Sequence, residues 1–179
     1  MITVISGTNR PNSRTQIIAT AYLNLLKEMG EEVQLLDMVD VDTSEFLTSM
    51  YSGKTMGKGL KAMQERFVIN AKKLAFCVPE YNGSYPGIVK LFIDGISINE
   101  YPQNFKGKVT GLIGVASGRS GNIRGMDHLA SSIEHMGGWV LPNKLPVSSV
   151  ETLLNPDNEL VHANTLEALK QHALQLIAA

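Results

Sequence analysis

The amino-acid sequence predicts an α/β fold in which helices cover both faces of a parallel sheet. Apolar runs such as residues 74–78 and 109–116 lack the alternation of a strand with one face in water, so they indicate strands buried on both faces. Segments whose apolar residues recur every three or four positions alternate with these runs. At 179 residues the chain is long enough to bury a core, and we expect a single domain spanning residues 1–179.

The first part of the chain contains two predicted strands separated by a helix. Residues 2–6 form a β-rich run, and apolar positions from 17 to 29 then mark one face of a helix that ends at Gly30. Residues 32–36 are the second predicted strand. Residues 37–58, which begin acidic and end rich in Gly and Lys, have no clear period and are predicted to form a mobile surface segment.

The remaining elements continue the alternation. In chain order we predict a helix over 60–72, a strand over 74–78, a helix over 86–98, a turn-rich passage over 99–104, a strand over 109–116, a helix over 125–136, a strand that starts at 138–141 and a helix over 163–178. Five such strands fit a flavodoxin-like three-layer sandwich, a parallel sheet of order 2-1-3-4-5 whose binding crevice lies at the carboxyl ends of its strands.

Composition and charge argue against some classes of binding partner and indicate the compartment of the protein. The formal net charge of -1 gives no electrostatic attraction to nucleic acid or to an anionic membrane, so we expect neither as a partner. No apolar run approaches the roughly 18 residues of a membrane span, and no leader precedes the first predicted strand. The one cysteine, Cys77, excludes an intramolecular disulfide and suits a reducing compartment. We therefore expect a cytoplasmic protein.

Three loops follow predicted strands at the binding edge of the sheet. They cover residues 7–15, 79–86 and 117–124. Because the carboxyl ends of parallel strands meet at one edge, we expect the three loops to converge there.

The first loop has the composition of a phosphate site. Thr8, Ser13 and Thr15 supply hydroxyl donors just before a helix, and Arg10 adds a charged donor. The helix N-terminus contributes unpaired N–H groups and a partial positive charge. The alternative is that Ser13 merely caps the helix. The loop matches neither the ATPase P-loop nor the dinucleotide-binding motif.

The second loop reads Pro79-Glu80-Tyr81-Asn82-Gly83-Ser84-Tyr85-Pro86-Gly87. Tyr81 and Tyr85 offer flat apolar faces, and Asn82 offers a polar group. Gly83 lets the backbone approach a ligand closely, while Pro86 is predicted to occupy the first helical position. The alternative is an ordinary turn between a strand and a helix.

The third loop is rich in glycine and serine. Gly118 and Gly121 are interleaved with Ser117 and Ser120, a density that allows a planar ring to rest against the backbone. An ordinary flexible turn explains these residues equally well.

The other polar candidates do not define a further site. Arg119 and Arg124 fit either a solvated surface or a phosphate contact. The histidines have no cysteine or paired carboxylate nearby, so no metal site is expected; they are His128, His135, His162 and His172. The sequence has no Gly-x-Ser-x-Gly nucleophile motif, and no catalytic side chain is predicted.

Taken together, the three loops resemble the NADPH-dependent FMN reductase family, flavodoxin-like proteins that include azo-dye, quinone and chromate reductases. The resemblance covers essentially the whole chain. Its motifs are Ser6-Gly7-Thr8 with Arg10 and Ser13, Pro79 to Ser84 with Pro86, Gly87, Lys90 and Ile93-Asp94, and Ser117 to Gly121 with Arg124. Thr15 stands where the family often has asparagine, and Gly95 stands where a tryptophan is common.

The resemblance implies FMN as the cofactor and NADPH or NADH as the co-substrate. It places Thr8, Arg10, Ser13 and Thr15 on the FMN phosphate, Pro79, Glu80, Tyr81, Asn82 and Gly83 at the border of the isoalloxazine ring, and Ser117, Gly118 and Gly121 on the pyrimidine side of the ring. We further hypothesise that the backbone at Asn82-Gly83 meets flavin N5 and that Tyr81 shapes the nicotinamide side.

The implied activity is hydride transfer from NAD(P)H to flavin N5, followed by electron transfer to a small-molecule acceptor such as a flavin, a quinone or an azo compound. The family also implies a homodimer or homotetramer, with residues 101–105 and 43–58 as candidate contacts. Two alternatives remain open: a non-enzymatic flavodoxin-type electron carrier, and a flavin-free regulatory domain of the same fold.

Overall fold

The computed structural model describes residues 1–46, 49–53 and 55–179, and it consists of a parallel sheet with helices on both faces. The strands are β1 Ile2–Ser6, β2 Val33–Asp37, β3 Lys73–Pro79, β4 Val109–Val115, β5 Trp139–Val140 and β6 Leu145–Val147. The α-helices are α1 Arg14–Glu28, α2 Ser49–Gly53, α3 Lys58–Met63, α4 Gly87–Ile96, α5 Tyr101–Phe105, α6 Ile123–His135 and α7 Ala163–Ala178. Short 3₁₀ turns occur at Met38–Asp40, Thr43–Glu45 and Val150–Leu153, and α3 continues as a π-helix over Gln64–Ile69.

The strand order confirms the predicted flavodoxin-like α/β fold. The strands lie in the order β2-β1-β3-β4-β5, and every pair is parallel. The fifth strand, however, is divided. β5 pairs with Val109 and Thr110, and β6 pairs with residues 113–115 of the same strand. Pro142, which lies between the two pieces, has no N–H to donate to the ladder, so the chain leaves the sheet edge there.

Several predicted boundaries shift for identifiable reasons. The first helix begins at Arg14, because the Ser13 side chain accepts a hydrogen bond from the Gln16 amide and caps the helix. Pro86 is the residue before α4 rather than its first helical residue. The passage over 99–104, predicted as turns, contains the short helix α5, with Pro102 in its first turn.

The predicted irregular segment over 37–58 folds partly onto its neighbours. Its residues 47, 48 and 54 lie outside the described part of the chain. The Glu45 carboxylate accepts hydrogen bonds from the amides of Gly59 (3.0 Å) and Leu60 (2.5 Å), in the first turn of α3. Phe46 packs over Gly95 of α4, where an added Cβ would lie 2.5 Å from a Phe46 ring carbon. The mobility expected for this segment stays a prediction.

The core consists of one apolar layer on each face of the sheet. Phe92 and Phe105 pack on one face with residues of α3 and α6, and Tyr22 and Leu169 join α1 to α7 on the other. Cys77, as expected of a core thiol, is fully buried, which raises the pKa of its sulfur. In the described ranges, no helix is both long and apolar enough to span a membrane.

A buried polar pair links α1 to α7 within the second layer. The Tyr22 hydroxyl and His172 Nδ1 are 2.8 Å apart, and neither residue is exposed to solvent. The His172 ring lies against β4 at Gly111, where an added Cβ would be 2.6 Å from His172 Cε1. Burial lowers the pKa of His172 from 6.5 to about 4, an effect that the Asn143 backbone partly offsets. His172 is therefore neutral in the folded protein at neutral pH.

We expect this pair to make stability depend on pH. The unfolded chain binds a proton at His172 below pH 6.5, whereas the folded protein binds one only below a pH of about 4. The free energy of unfolding should therefore decrease by about 3 kcal/mol as the pH falls through that window. Urea unfolding of the wild type and of His172→Gln between pH 7 and pH 4 measures the contribution. If the free energy of unfolding fell by the same amount in both proteins between pH 7 and pH 4, this expectation would be contradicted.

Candidate functional site

The three loops converge on one cleft at the carboxyl edge of the sheet. The cleft has a volume of about 340 Å³, within the size range of small-molecule sites. Its lining residues are Thr8, Arg10, Asn12, Ser13, Arg14, Thr15, Pro79, Glu80, Tyr81, Val115, Ala116, Ser117, Gly118, Ser120, Val150 and Glu151. The cleft thus brings together nine of the twelve residues that the sequence and the resemblance proposed as the site.

The first loop presents hydrogen-bond donors at the N-terminus of α1. Thr8 and Thr15 are almost fully buried, whereas Arg10 is exposed. Ser13 caps the helix through its hydroxyl oxygen, as in the alternative interpretation, but a cap uses only this one side chain. The amides of Arg14 and Thr15 belong to the first helical turn and have no intrahelical acceptor. This end of the cleft therefore suits an anion such as a phosphate.

The second loop is a tight β-hairpin rather than an open loop. The Tyr81 amide donates to the Ser84 carbonyl (2.9 Å), and the Ser84 amide donates to the Tyr81 carbonyl (3.1 Å). The two residues between them, Asn82 and Gly83, have φ values of 53° and 77°, as a type I′ turn requires. Gly83 is therefore suited to the turn, and its lack of a side chain would also let a ligand approach the backbone closely. Asn82 and Gly83 form the tip of the hairpin, beyond the residues that line the cleft.

Tyr81 joins the second loop to the first. Its hydroxyl is 2.7 Å from Thr8 Oγ1, and its ring lies under the Arg10 guanidinium, 5.3 Å from the ring centroid. These contacts place the tyrosine ring against the donor-rich end of the cleft in this structure.

The third loop lines the cleft through Ser117, Gly118 and Ser120. Gly121, predicted to contact a ring, lies outside the lining and packs on Pro146, where an added Cβ would be 2.4 Å from Pro146 Cβ. Arg119 and Arg124 are exposed and are not among the lining residues.

Two carboxylates from other parts of the chain hold the serines of the third loop. Ser120 Oγ donates to Glu80 Oε2 (2.6 Å), and Ser117 Oγ donates to Glu151 Oε1 (2.7 Å). Glu151 Oε1 also lies 3.5 Å from Arg14 Nε, at the start of α1. The hydrogen bond from Ser117, the Glu151 backbone amide and the Arg14 charge lower the pKa of Glu151. Together with the Thr8–Tyr81 contact, these bonds connect the first loop to the second, the second to the third, and the third back to the start of α1.

Asn122 anchors the third loop to the end of β3. Its side-chain amide donates to the carbonyls of Val78 (3.0 Å) and Pro79 (2.9 Å), and its backbone adopts a left-handed φ of 61° before α6. The side chain is buried, so these bonds are shielded from water.

Sequence reasoning did not place Asn12, Arg14, Ser120, Asn122 or Glu151 in the site. The sequence does identify Ser120 as a polar residue of the third loop and Arg14 as a residue just before the predicted first helix. Glu151 follows β6 and carries no local motif, so only the fold brings it to the cleft. Among the described residues, no group of three or more His, Cys, Asp or Glu side chains could hold a metal ion.

The arrangement fits an FMN molecule in its chemical character. One end of the cleft offers the first amides of α1 and the hydroxyls of the first loop, beside the Arg14–Glu151 pair, and the other end is bordered by backbone of two loops. A phosphate suits the first end, and a planar ring with carbonyl and N–H groups suits the second.

Comparisons with known proteins find relatives that match most of the chain. An NAD(P)H-dependent FMN reductase of Pseudomonas aeruginosa is 28% identical over 178 residues, which cover 96% of this chain and 91% of that protein. An FMN-dependent NADPH-azoreductase of Staphylococcus aureus is 24% identical over 156 residues, or 86% of this chain and 80% of that protein. The solved structure of FerB, a flavoenzyme NAD(P)H:(acceptor) oxidoreductase of Paracoccus denitrificans, superposes with a TM-score of 0.78 at 22% identity and covers 99% of this chain and 94% of that chain.

The sequence profile of one family matches most of the chain. The profile is that of NADPH-dependent FMN reductase, and it aligns with residues 1–152, which include all three loops and Glu151. The chain therefore belongs to the NADPH-dependent FMN reductase family.

Proposed function

We propose that this chain is an FMN-dependent oxidoreductase that takes a hydride from NADH or NADPH and passes the electrons to a flavin, a quinone or an azo compound. The observation that carries the proposal is the convergence of three loops on one cleft, with the N-terminus of α1 at one end. Bound FMN would supply the redox chemistry at its N5 atom. Family membership and the curated relatives support the same activity.

The chain's own residues would bind and orient the cofactor. The phosphate would lie against the first loop, held by Thr8, Arg10, Ser13 and Thr15, with Arg14 as a further donor. Pro79, Glu80, Tyr81, Asn82 and Gly83 would border the ring, and Ser117, Gly118 and Gly121 would lie on its pyrimidine side. Hydrogen bonds across the hairpin and the anchors from Asn122 would fix the two ring-bordering loops relative to each other.

The cleft calls for no acid or base catalyst. Hydride transfer needs the donor and acceptor atoms to be close and aligned, which a rigid binding site supplies through orientation. The hairpin tip at Asn82-Gly83 is our candidate for the backbone that faces N5. Tyr81 contacts the first loop in this structure, so its proposed place beside the nicotinamide requires the ring to turn away from Thr8.

The proposal also covers assembly and location. We propose a homodimer or homotetramer, with residues 43–58 and 101–105 as candidate contacts, since Tyr51 and Tyr101 in these segments are 61% and 39% exposed. We place the protein in the cytoplasm, where a buried, unpaired Cys77 is stable as a thiol.

The main test of function is uptake of FMN followed by turnover. Purified protein titrated with FMN should develop a perturbed flavin spectrum and quench flavin fluorescence. The loaded protein should then oxidise NADH or NADPH continuously with added flavin, quinone or azo dye. An electron carrier would bind FMN without sustained oxidation, and a flavin-free regulatory domain would bind none; either result contradicts the proposal.

Thr15→Val should weaken FMN binding through the phosphate alone. The substitution removes a buried hydroxyl while keeping the side-chain shape, and a lost hydrogen bond to a charged group costs about tenfold in affinity. Riboflavin, which lacks the phosphate, should bind the variant and the wild type equally. Thr20→Val, on an exposed position of the same helix, is the matched control. Equal losses for FMN and riboflavin would show that Thr15 is structural.

The oligomeric state can be measured directly. Sedimentation of the wild type should give a dimer or a tetramer, and Tyr51→Glu with Tyr101→Glu should shift it toward the monomer, because two charges would be buried at the contact. A wild-type monomer at micromolar concentration would overturn this part of the proposal.

A further inference from the structure

Two glutamates line the cleft in different electrostatic settings. Each accepts a hydrogen bond from a serine of the third loop, Glu80 from Ser120 and Glu151 from Ser117. Glu151 also faces Arg14, with 3.5 Å between Oε1 and Nε. In the ranges that the structure describes, no cationic group lies within ion-pair distance of the Glu80 carboxylate. Glu80 is thus the cleft-lining carboxylate without an ion-pair partner among the described residues.

The position of the Glu80 carboxylate is fixed by the two ring-bordering loops. Its backbone amide donates to the Val115 carbonyl (3.1 Å) at the end of β4, and its side chain is held by Ser120 at 2.6 Å. The charged residues that line the cleft are Arg10, Arg14, Glu80 and Glu151. Arg14 and Glu151 meet at the start of α1, the end proposed for the phosphate, and Arg10 lies over Tyr81. Glu151 is held by Ser117, which also borders the proposed ring position, but it is paired with Arg14; the negative charge there without an ion-pair partner is that of Glu80.

A fixed negative charge affects the two redox forms of flavin differently. The oxidised ring is neutral, whereas the reduced ring becomes negative when it loses its N1 proton. We propose that the Glu80 carboxylate weakens the binding of reduced FMN relative to oxidised FMN, so that the bound flavin gives up its electrons more readily. The inference rests on the proposed function, since it requires FMN in the cleft. It assigns to Glu80 a role in the redox balance rather than in proton transfer.

Glu151 should affect the redox balance less than Glu80 does. Its carboxylate bridges Ser117 of the third loop and Arg14 at the phosphate end, so loss of its charge also frees Arg14 to act on the phosphate, whose charge is the same in both redox forms. Removing the Glu151 charge should therefore act mainly on the binding of both redox forms, and it should shift the ratio of their dissociation constants less than removal of the Glu80 charge does. Thermodynamic linkage makes the ratio of the two dissociation constants a direct measure of the midpoint potential.

The experiment compares Glu80→Gln with Glu151→Gln in FMN-loaded protein. Glutamine still accepts a hydrogen bond from the serine, so each variant removes the charge and keeps the contact. The dissociation constant of oxidised FMN is measured by fluorescence, and the midpoint potential by anaerobic titration against a reference dye. Glu159→Gln is the control, since this exposed carboxylate accepts a hydrogen bond from Asn155 and does not line the cleft.

We expect the dissociation constant of reduced FMN, divided by that of oxidised FMN, to fall in Glu80→Gln by about threefold to tenfold, the effect of one charge several ångströms away at an exposed site. The ratio should change by less in Glu151→Gln and should be unchanged in Glu159→Gln. In 1 M salt, where the Debye length is about 3 Å, the difference between Glu80→Gln and the wild type should shrink.

Three results would overturn the inference. An unchanged or higher ratio in Glu80→Gln would show that the carboxylate is neutral toward the reduced ring or stabilises it. An equal shift of this ratio in Glu151→Gln would show that the redox balance responds to the total charge of the cleft rather than to Glu80 specifically. A wild-type protein that takes up no FMN would refute the proposed function itself, which separates that failure from a failure of Glu80 alone.

Discussion

The geometry of the site depends on backbone hydrogen bonds that extend the parallel ladder past the ends of the strands. The Gly7 amide donates to the Cys77 carbonyl (2.8 Å), and the Glu80 amide donates to the Val115 carbonyl (3.1 Å). The first and second loops therefore leave the sheet in fixed register with its neighbouring strands. A parallel sheet buried on both faces holds this register firmly, because a slip of one residue would move each side chain to the opposite layer, where it would no longer fit its packing partners.

Side-chain contacts connect the three adjacent loops to one another around the cleft. Thr8 with Tyr81 joins the first and second loops, Glu80 with Ser120 joins the second and third, and Glu151 joins the third loop back to the first helix. Most of these contacts are exposed, so each one contributes modestly to stability. Their effect is chiefly on geometry, since a cofactor that acts through its own atoms needs walls of constant position.

Much of this architecture follows from local sequence patterns. The alternation of strands with the helices α1, α3, α4, α6 and α7, and the three loops between them, follow from apolar periodicity, whereas the short helices α2 and α5 do not. Asn82-Gly83 is a strong local signal for a type I′ hairpin that our interpretation of the loop as a ligand surface passed over. The division of the fifth strand depends on Pro142 at a sheet edge, and an edge is recognised only when the topology is known. Glu151 could not be found from sequence because nothing near it in the chain distinguishes it from other exposed acids. The placement of Gly121 against Pro146 likewise depends on contacts between distant segments.

Gly95 shows how the part of the chain before α3 and the helix after the second loop are matched to each other. The space above this glycine is filled by the Phe46 ring and by Leu60, and Glu45, the neighbour of Phe46, caps α3. A tryptophan at position 95, common in the family that this chain resembles, would require the Phe46 ring to leave and would disturb the cap on α3. A chimaera that receives α4 from such a relative must therefore receive residues 45–46 from it as well. These positions form one exchangeable unit, although strand β3 lies between them in the chain.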